Sequence, residues 1–157
     1  MKVSCISFIY LFASVIVFNT IAFFSKKRMS VSEMYITLLF NHVLQIFTDI
    51  IFDIKYDWYG YFYKGTDFLG LIVELGIYPA FIFIYLNFFP YGKKQKTKIV
   101  YVLAYSAFAL FYEWTSVLSG FFYHNAWKLW YSALFYPIFL SLSAWHYHVI
   151  KKFTRKV

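Results

Sequence analysis

Residues 11–28 read Leu11-Phe12-Ala13-Ser14-Val15-Ile16-Val17-Phe18-Asn19-Thr20-Ile21-Ala22-Phe23-Phe24-Ser25-Lys26-Lys27-Arg28, an apolar run closed by a cluster of positive charge. The pattern recurs. Lys93, Lys94, Lys96 and Lys98 follow a second long apolar region, and Lys151, Lys152, Arg155 and Lys156 follow a third. A hydrocarbon layer about 30 Å thick takes about 20 helical residues to cross. Stretches near 3–24, 34–54, 67–89, 98–119 and 129–150 meet that length. The sequence therefore predicts an all-α integral membrane bundle of five transmembrane helices, forming one domain over residues 1–157.

Composition supports a bilayer as solvent. The chain is 62% hydrophobic and 14% charged, whereas soluble domains carry about a quarter charged residues. Apolar residues form long runs rather than amphipathic stripes. The net charge of +8 sits in short clusters between these runs and makes no continuous basic face, which argues against nucleic-acid binding. Cys5 is the only cysteine, so no internal disulfide forms and no metal-type spacing accompanies it. A signal peptide is the alternative for the first stretch. Lys26-Lys27-Arg28 follows it directly and Thr20-x-Ala22 makes a poor cleavage site, so an uncleaved helix is favoured. Cys5 lies too near the start to be a lipoprotein cysteine.

Eleven of the fifteen basic residues fall in the three clusters, and only Lys2, Lys55, Lys64 and Lys128 lie on the other side. Cytoplasmic loops retain Lys and Arg, so the alternation predicts the N-terminus outside and the C-terminus in the cytoplasm. Asp49, Asp53, Asp57, Asp67, Glu74 and Glu113 then occupy the outer half, and only Glu33 is cytoplasmic.

Within the second span, Asn41, Gln45, Asp49 and Asp53 advance about 40° per step, and His42 falls in the same arc. That face should look into the bundle. Asp49, Glu74 and Glu113 each lie about 9–10 Å in from the outer ends of their helices. Embedded carboxyls are costly and usually face a bundle interior or an aqueous cavity. Asp49, Asp53, Glu74, Glu113, His42 and Gln45 are therefore the candidate lining of an outward-facing polar pocket. The competing reading is structural, with Glu74 and Glu113 protonated or bonded to Tyr hydroxyls as interhelical glue and Asp53, Asp57 and Asp67 interfacial. His42 could relay protons with Asp49, but a packing role is favoured because no other histidine shares its depth. His42, Asp49, Glu74 and Glu113 scatter over three helices without a ligand spacing, so no metal site and no cofactor are expected.

Pro79 and Pro137 sit inside spans and should kink them. Both read Tyr-Pro, at Tyr78-Pro79 and Tyr136-Pro137. Gly60-Tyr61-Phe62-Tyr63 also matches Gly120-Phe121-Phe122-Tyr123, with Asp53 and Glu113 each seven residues upstream. This suggests that helices 2–3 and 4–5 are duplicated hairpins related by an axis along the membrane normal. Trp58, Tyr59, Tyr61, Tyr63, Tyr123, Trp127 and Trp130 collect at the outer boundary as an aromatic belt. A cage for a cationic headgroup is the sharper alternative.

No phosphate loop, zinc-protease helix or nucleophile elbow occurs. The serines of the spans, Ser106, Ser116, Ser119, Ser132, Ser141 and Ser143, have no His/Asp constellation beside them in sequence. A non-enzyme is therefore favoured.

Asp53-Ile54-Lys55-Tyr56-Asp57-Trp58-Tyr59-Gly60-Tyr61-Phe62, Tyr78-Pro79, Leu86-Asn87-Phe88-Phe89-Pro90, Tyr112-Glu113-Trp114 and Trp127-Lys128-Leu129-Trp130-Tyr131-Ser132 leading to Tyr136-Pro137 span more than half of the chain. In these stretches the chain resembles a family of small, uncharacterised multi-pass membrane proteins from endospore-forming Gram-positive bacteria. The resemblance implies a bacterial plasma membrane and supplies no catalytic residues. The expected function is an accessory or structural component of a membrane complex, with a membrane-protein partner or a second copy of itself besides the lipid bilayer. The alternative is binding or transport of a small molecule or lipid headgroup through the acidic pocket.

Overall fold

The computed structural model describes residues 3–65 and 68–154. Asp67, Lys2, Arg155 and Lys156, all used above, lie outside the described residues. The chain is helical apart from one small sheet: α1 (Cys5–Phe24), α2 (Val31–Asp49) continued by a π-helical turn (Ile50–Lys55), β1 (Tyr59–Tyr61), α3 (Phe68–Gly76), α4 (Tyr78–Phe88), α5 (Gln95–Ser119), β2 (Phe122–His124) and α6 (Leu129–Thr154).

Local chemistry sets the helix ends. α1 begins where Ser7 Oγ accepts the Ser4 N–H at 3.2 Å. It stops at Ser25, whose backbone turns extended and whose hydroxyl donates to the Ile21 carbonyl at 2.6 Å. α2 begins with a reciprocal capping box, Glu33 N–H to Ser30 Oγ at 3.2 Å and Ser30 N–H to Glu33 Oε2 at 2.9 Å. α5 ends at Gly120, which adopts φ 80°, the left-handed conformation glycine takes most readily.

The third expected span, 67–89, is interrupted at Ile77 into α3 and α4. Helical hydrogen bonds from Ile77 N–H to the Val73 carbonyl and from Phe81 N–H to the Ile77 carbonyl, each 2.9 Å, carry the helix path across the junction as a kink. Pro79 lies in the first turn of α4, where its missing N–H costs least, and Ile77 separates α4 from α3. Asn19 of α1 reaches across and donates to the Gly76 carbonyl at 2.7 Å. A Cβ on Gly76 would meet Val15 Cγ2 at 3.3 Å, so glycine lets α1 approach the break closely. Pro137, by contrast, is carried inside a continuous α6.

α2, α4, α5 and α6 form a ring. α2 packs on α4 and α6, and α6 on α5. Tyrosines close the α4–α5 side, where the Tyr101 and Tyr105 hydroxyls donate to the Tyr85 and Phe81 carbonyls at 2.9 and 3.2 Å. α1 lies outside the ring against α3, α4 and α5. One core cluster centres on Leu11, Phe18, Val73, Ile77 and Phe121, and another on Tyr85, Leu86, Val102, Leu140 and Tyr147. The basic loops converge at one end. Asn87 accepts the Arg28 N–H at 2.8 Å and donates to the Lys26 carbonyl at 3.0 Å, while Lys151 lies over the Tyr91 ring.

Three helical stretches, Cys5–Phe24, Val31–Lys55 and Phe68–Phe88, are long and apolar enough to cross a membrane, where the sequence reading expects five. α5 and α6 have the length, at 25 and 26 residues. Their mean hydropathy is lowered by polar-edged aromatics such as Tyr101, Tyr105, Trp130 and Tyr136, by histidines and by terminal lysines.

The sheet was not expected from the sequence. β1 and β2 pair antiparallel, with Tyr59 opposite His124, Gly60 opposite Tyr123 and Tyr61 opposite Phe122. The ladder continues through Phe62 N–H to the Phe121 carbonyl at 2.9 Å. The two tetrapeptides matched in sequence thus lie directly against each other.

Asn19→Leu, which leaves the Gly76 carbonyl without its donor, should destabilise the chain by about 1–3 kcal/mol. The check is the thermal unfolding midpoint in detergent, compared with Asn19→Gln.

Candidate functional site

The polar side chains of the hairpin end fall into two networks. In the first, Asp49 is 3% exposed; its Oδ1 accepts from the Tyr59 hydroxyl and its Oδ2 from Gln45 Nε2, each at 2.7 Å. Gln45 and Asp49 are one helical turn apart on α2, and β1 brings Tyr59 over them. Asp53 is buried in the π-helical turn. The strand backbone lies close above it, since a Cβ on Gly60 would come within 3.0 Å of Asp53 Oδ1 and 2.5 Å of the Tyr123 hydroxyl.

The second network surrounds Glu113, which is 6% exposed. Its Oε1 lies 2.8 Å from His124 Nε2 and accepts from Ser132 Oγ at 2.9 Å, and its Oε2 accepts from the Tyr136 hydroxyl at 2.5 Å. Trp127 Nε1 donates to Ser132 Oγ at 2.8 Å. Ser, His and Glu are together, yet the order is wrong for a nucleophilic triad. The carboxylate stands between hydroxyl and imidazole, so the histidine cannot take the serine proton. What the arrangement does is tie α5 to β2 and α6.

Two cavities flank these networks. An inter-helix cavity of about 130 Å³ is bounded by α2, α4, α5 and α6 and takes His42, Gln45 and Glu113 in its wall. An acidic cavity of about 240 Å³ takes Asp49, Asp53 and Glu74, together with Tyr61 and Gly70. The six candidate residues are therefore divided three and three rather than lining one pocket. The partition between the cavities is made of Gln45, Asp49 and Tyr59, with Tyr61 and Tyr78 joined beside it through their hydroxyls at 3.1 Å.

His42 faces the inter-helix cavity, and its Nδ1 is buried without a hydrogen-bond partner among the described residues. Glu74 is half-buried and interacts electrostatically with His42. No three His, Cys, Asp or Glu side chains among the described residues gather closely enough to hold a metal ion.

Several participants were hidden in the sequence. His124 is the partner of Glu113, and Ser132 proves to have that acid beside it in space. Tyr59, Tyr61 and Trp127, expected in an interfacial belt, are 7%, 6% and 8% exposed and belong to the interior, whereas Tyr63 and Trp130 are exposed. Nothing local marks these positions, because each contact depends on the β1–β2 pairing.

Asp57, at the turn before β1, is ion-paired with Lys64 at 2.5 Å and accepts from Asn125 Nδ2 at 3.2 Å. The hydrogen bond from Lys64, with its positive charge, holds the Asp57 carboxyl below the usual range. A lowered carboxyl contributes stability above its ordinary pKa and loses it as pH falls through the lowered value. The Asp57–Asn125 clasp should therefore hold at neutral pH and loosen below about pH 4, read as a loss of amide protection at Asn125 relative to its intrinsic exchange rate at each pH.

Glu113→Ala leaves buried Ser132 and partly buried Tyr136 and His124 without their shared partner and should cost about 3 kcal/mol. Glu74→Gln removes no direct partner and should change the thermal midpoint in detergent by far less. Equal losses in the two variants would mean that the second network is not what holds α5, β2 and α6 together.

Searches of the chain against protein-family models, curated proteins and solved structures return no match.

Proposed function

We propose that this chain is a multi-pass plasma-membrane protein that binds a small, largely apolar molecule with one polar end in the inter-helix cavity. The observation that carries the reading is His42, a buried imidazole nitrogen without a hydrogen-bond partner in the wall of an interior cavity. Concave, mostly apolar sites with a few convergent polar groups are where small molecules bind. Leu38, Phe81, Ile82, Phe135 and Leu140 supply the apolar wall, and Gln45 and Glu113 stand with His42 as the polar part. At about 130 Å³ the space is of the class that accepts one aromatic ring.

In this reading α5 and α6 complete five spans, since 25 and 26 residues reach about 38 Å at 1.5 Å per residue. The convergence of the basic loops supports the N-out, C-in orientation. The resemblance to small membrane proteins of endospore-forming bacteria supports the plasma membrane. The β1–β2 register supports the duplication of helices 2–3 and 4–5, because it centres on the two matched tetrapeptides.

A second reading, an accessory component of a membrane complex, is favoured by the saturation of Asp49 and Glu113 with donors from the chain itself. Such carboxyls are structural.

Thermal unfolding of the detergent-solubilised protein with phenol, benzene or benzoate separates the two. Phenol should raise the midpoint most, by its ring and hydroxyl together, and benzoate least, because no Lys or Arg among the described residues lines the cavity to pair with its charge. His42→Phe, which fills the cavity, should abolish the phenol effect without lowering the midpoint of the protein alone. No shift with any probe, together with recovery of a stoichiometric complex from native membranes, would favour the accessory reading.

A further inference from the structure

The opposite end of the molecule carries a second kind of surface. Between the start of α5 and the end of α6 a groove of about 430 Å³ opens, floored by Val102 and Ala144 and flanked by Ile99, Leu103 and Trp145. Ile99, Leu103 and Trp145 are 50%, 54% and 61% exposed, so the apolar flank continues onto the outer surface of the helix pair. At the other end of the groove stand Gln95, Lys98, Tyr91 and His148.

The groove is thus apolar along its length and cationic at one end. Lys98 is half-buried and has no carboxylate partner among the described residues. The Tyr91 hydroxyl is buried without a hydrogen-bond partner there, and the Lys151 ammonium lies 5.5 Å from the centre of the Tyr91 ring. Lys98 occupies the first turn of α5 and Lys151 the last turn of α6. These two turns adjoin in the antiparallel pair, at the end where the basic loops gather.

We infer that this groove is a binding site for one anionic phospholipid. An acyl chain lies along Ile99, Leu103 and Trp145. The phosphate sits at Lys98, with Gln95 Nε2 donating to its oxygens and Lys151 adding charge. The inference rests on the membrane reading of α5 and α6 but involves none of the residues of the inter-helix cavity. Basic pockets between transmembrane helices are matched to anionic headgroups by charge, and a zwitterionic lipid offers no net charge to Lys98. The occupant is a lipid rather than free phosphate because most of the groove wall, Phe89, Ile99, Val102, Leu103, Ala144 and Trp145 among it, suits a hydrocarbon chain.

The test is quenching of Trp145 fluorescence in phosphatidylcholine vesicles doped with acyl-brominated phosphatidylglycerol or acyl-brominated phosphatidylcholine. The Trp145 signal is isolated by subtracting the Trp145→Phe variant. Brominated phosphatidylglycerol should quench at lower mole fraction than brominated phosphatidylcholine. Lys98→Gln should reduce that preference by about fivefold, the effect of one basic residue at an anionic surface, while Lys98→Arg retains it and Lys64→Gln, at the hairpin end, leaves it unchanged. Equal quenching by the two lipids, a preference that survives Lys98→Gln, or displacement of the brominated lipid by inorganic phosphate would each overturn the inference.

Discussion

In hydrocarbon there is no water to accept an unspent hydrogen bond, so every interruption of a helix must be answered by another part of the chain. This structure is organised around those answers. Where α3 and α4 part, Asn19 supplies a donor to the Gly76 carbonyl. Where α1 ends, Asn87 binds Lys26 and Arg28 and holds the turn to α2. Glu33, 3% exposed, serves its own helix start and also accepts from the Tyr147 and Thr154 hydroxyls of α6. Each of these contacts joins parts of the chain far apart in sequence: α1 to the α3–α4 junction, the α1–α2 turn to α4, and the start of α2 to the end of α6.

The same constraint explains why the acids of the hairpin end are so closely held. A carboxyl that is neither hydrated nor partnered is expensive at this depth, and Asp49 and Glu113 recruit partners from strands that no helix-only architecture would provide. The short sheet does two things at once. It satisfies the backbone of two loops against each other, and it lowers Tyr59 and His124 onto the two carboxyls. The ladder runs through Tyr61, Phe62, Phe121 and Phe122, whose rings pack on one another.

How much of this was legible in the sequence depends on range. Basic clusters mark the helix ends, and Ser30-Val31-Ser32-Glu33 spells out a capping box, because those signals act over three or four residues. The polar stripe Asn41, Gln45, Asp49 is likewise local, and its inward direction is evident from helical period alone. The kink at Ile77 was legible from Tyr78-Pro79, since proline marks where a helix is interrupted, whereas Asn19 as the residue that answers it was not. Hydropathy scores Tyr as a poor membrane residue, and here Tyr101, Tyr105 and Tyr147 of α5 and α6 pack against neighbouring helices. The pairing of Glu113 with His124 and the division of the six candidate residues between two cavities follow from the register of two strands far apart in sequence, which no periodicity announces.

The partition formed by Gln45, Asp49 and Tyr59 belongs to both cavities, so the two spaces cannot be thermodynamically independent. Gln45 donates one amide hydrogen to Asp49, and that bond fixes how its second hydrogen and its carbonyl oxygen are presented to a guest on the other side. Whatever neutralises or engages Asp49 from the acidic cavity changes what the inter-helix cavity presents, and by reciprocity a guest held by Gln45 changes the proton or cation affinity of Asp49 by the same factor. A single hydrogen-bonded wall thereby gives this small bundle the elements of a two-site linkage, with no moving domain required.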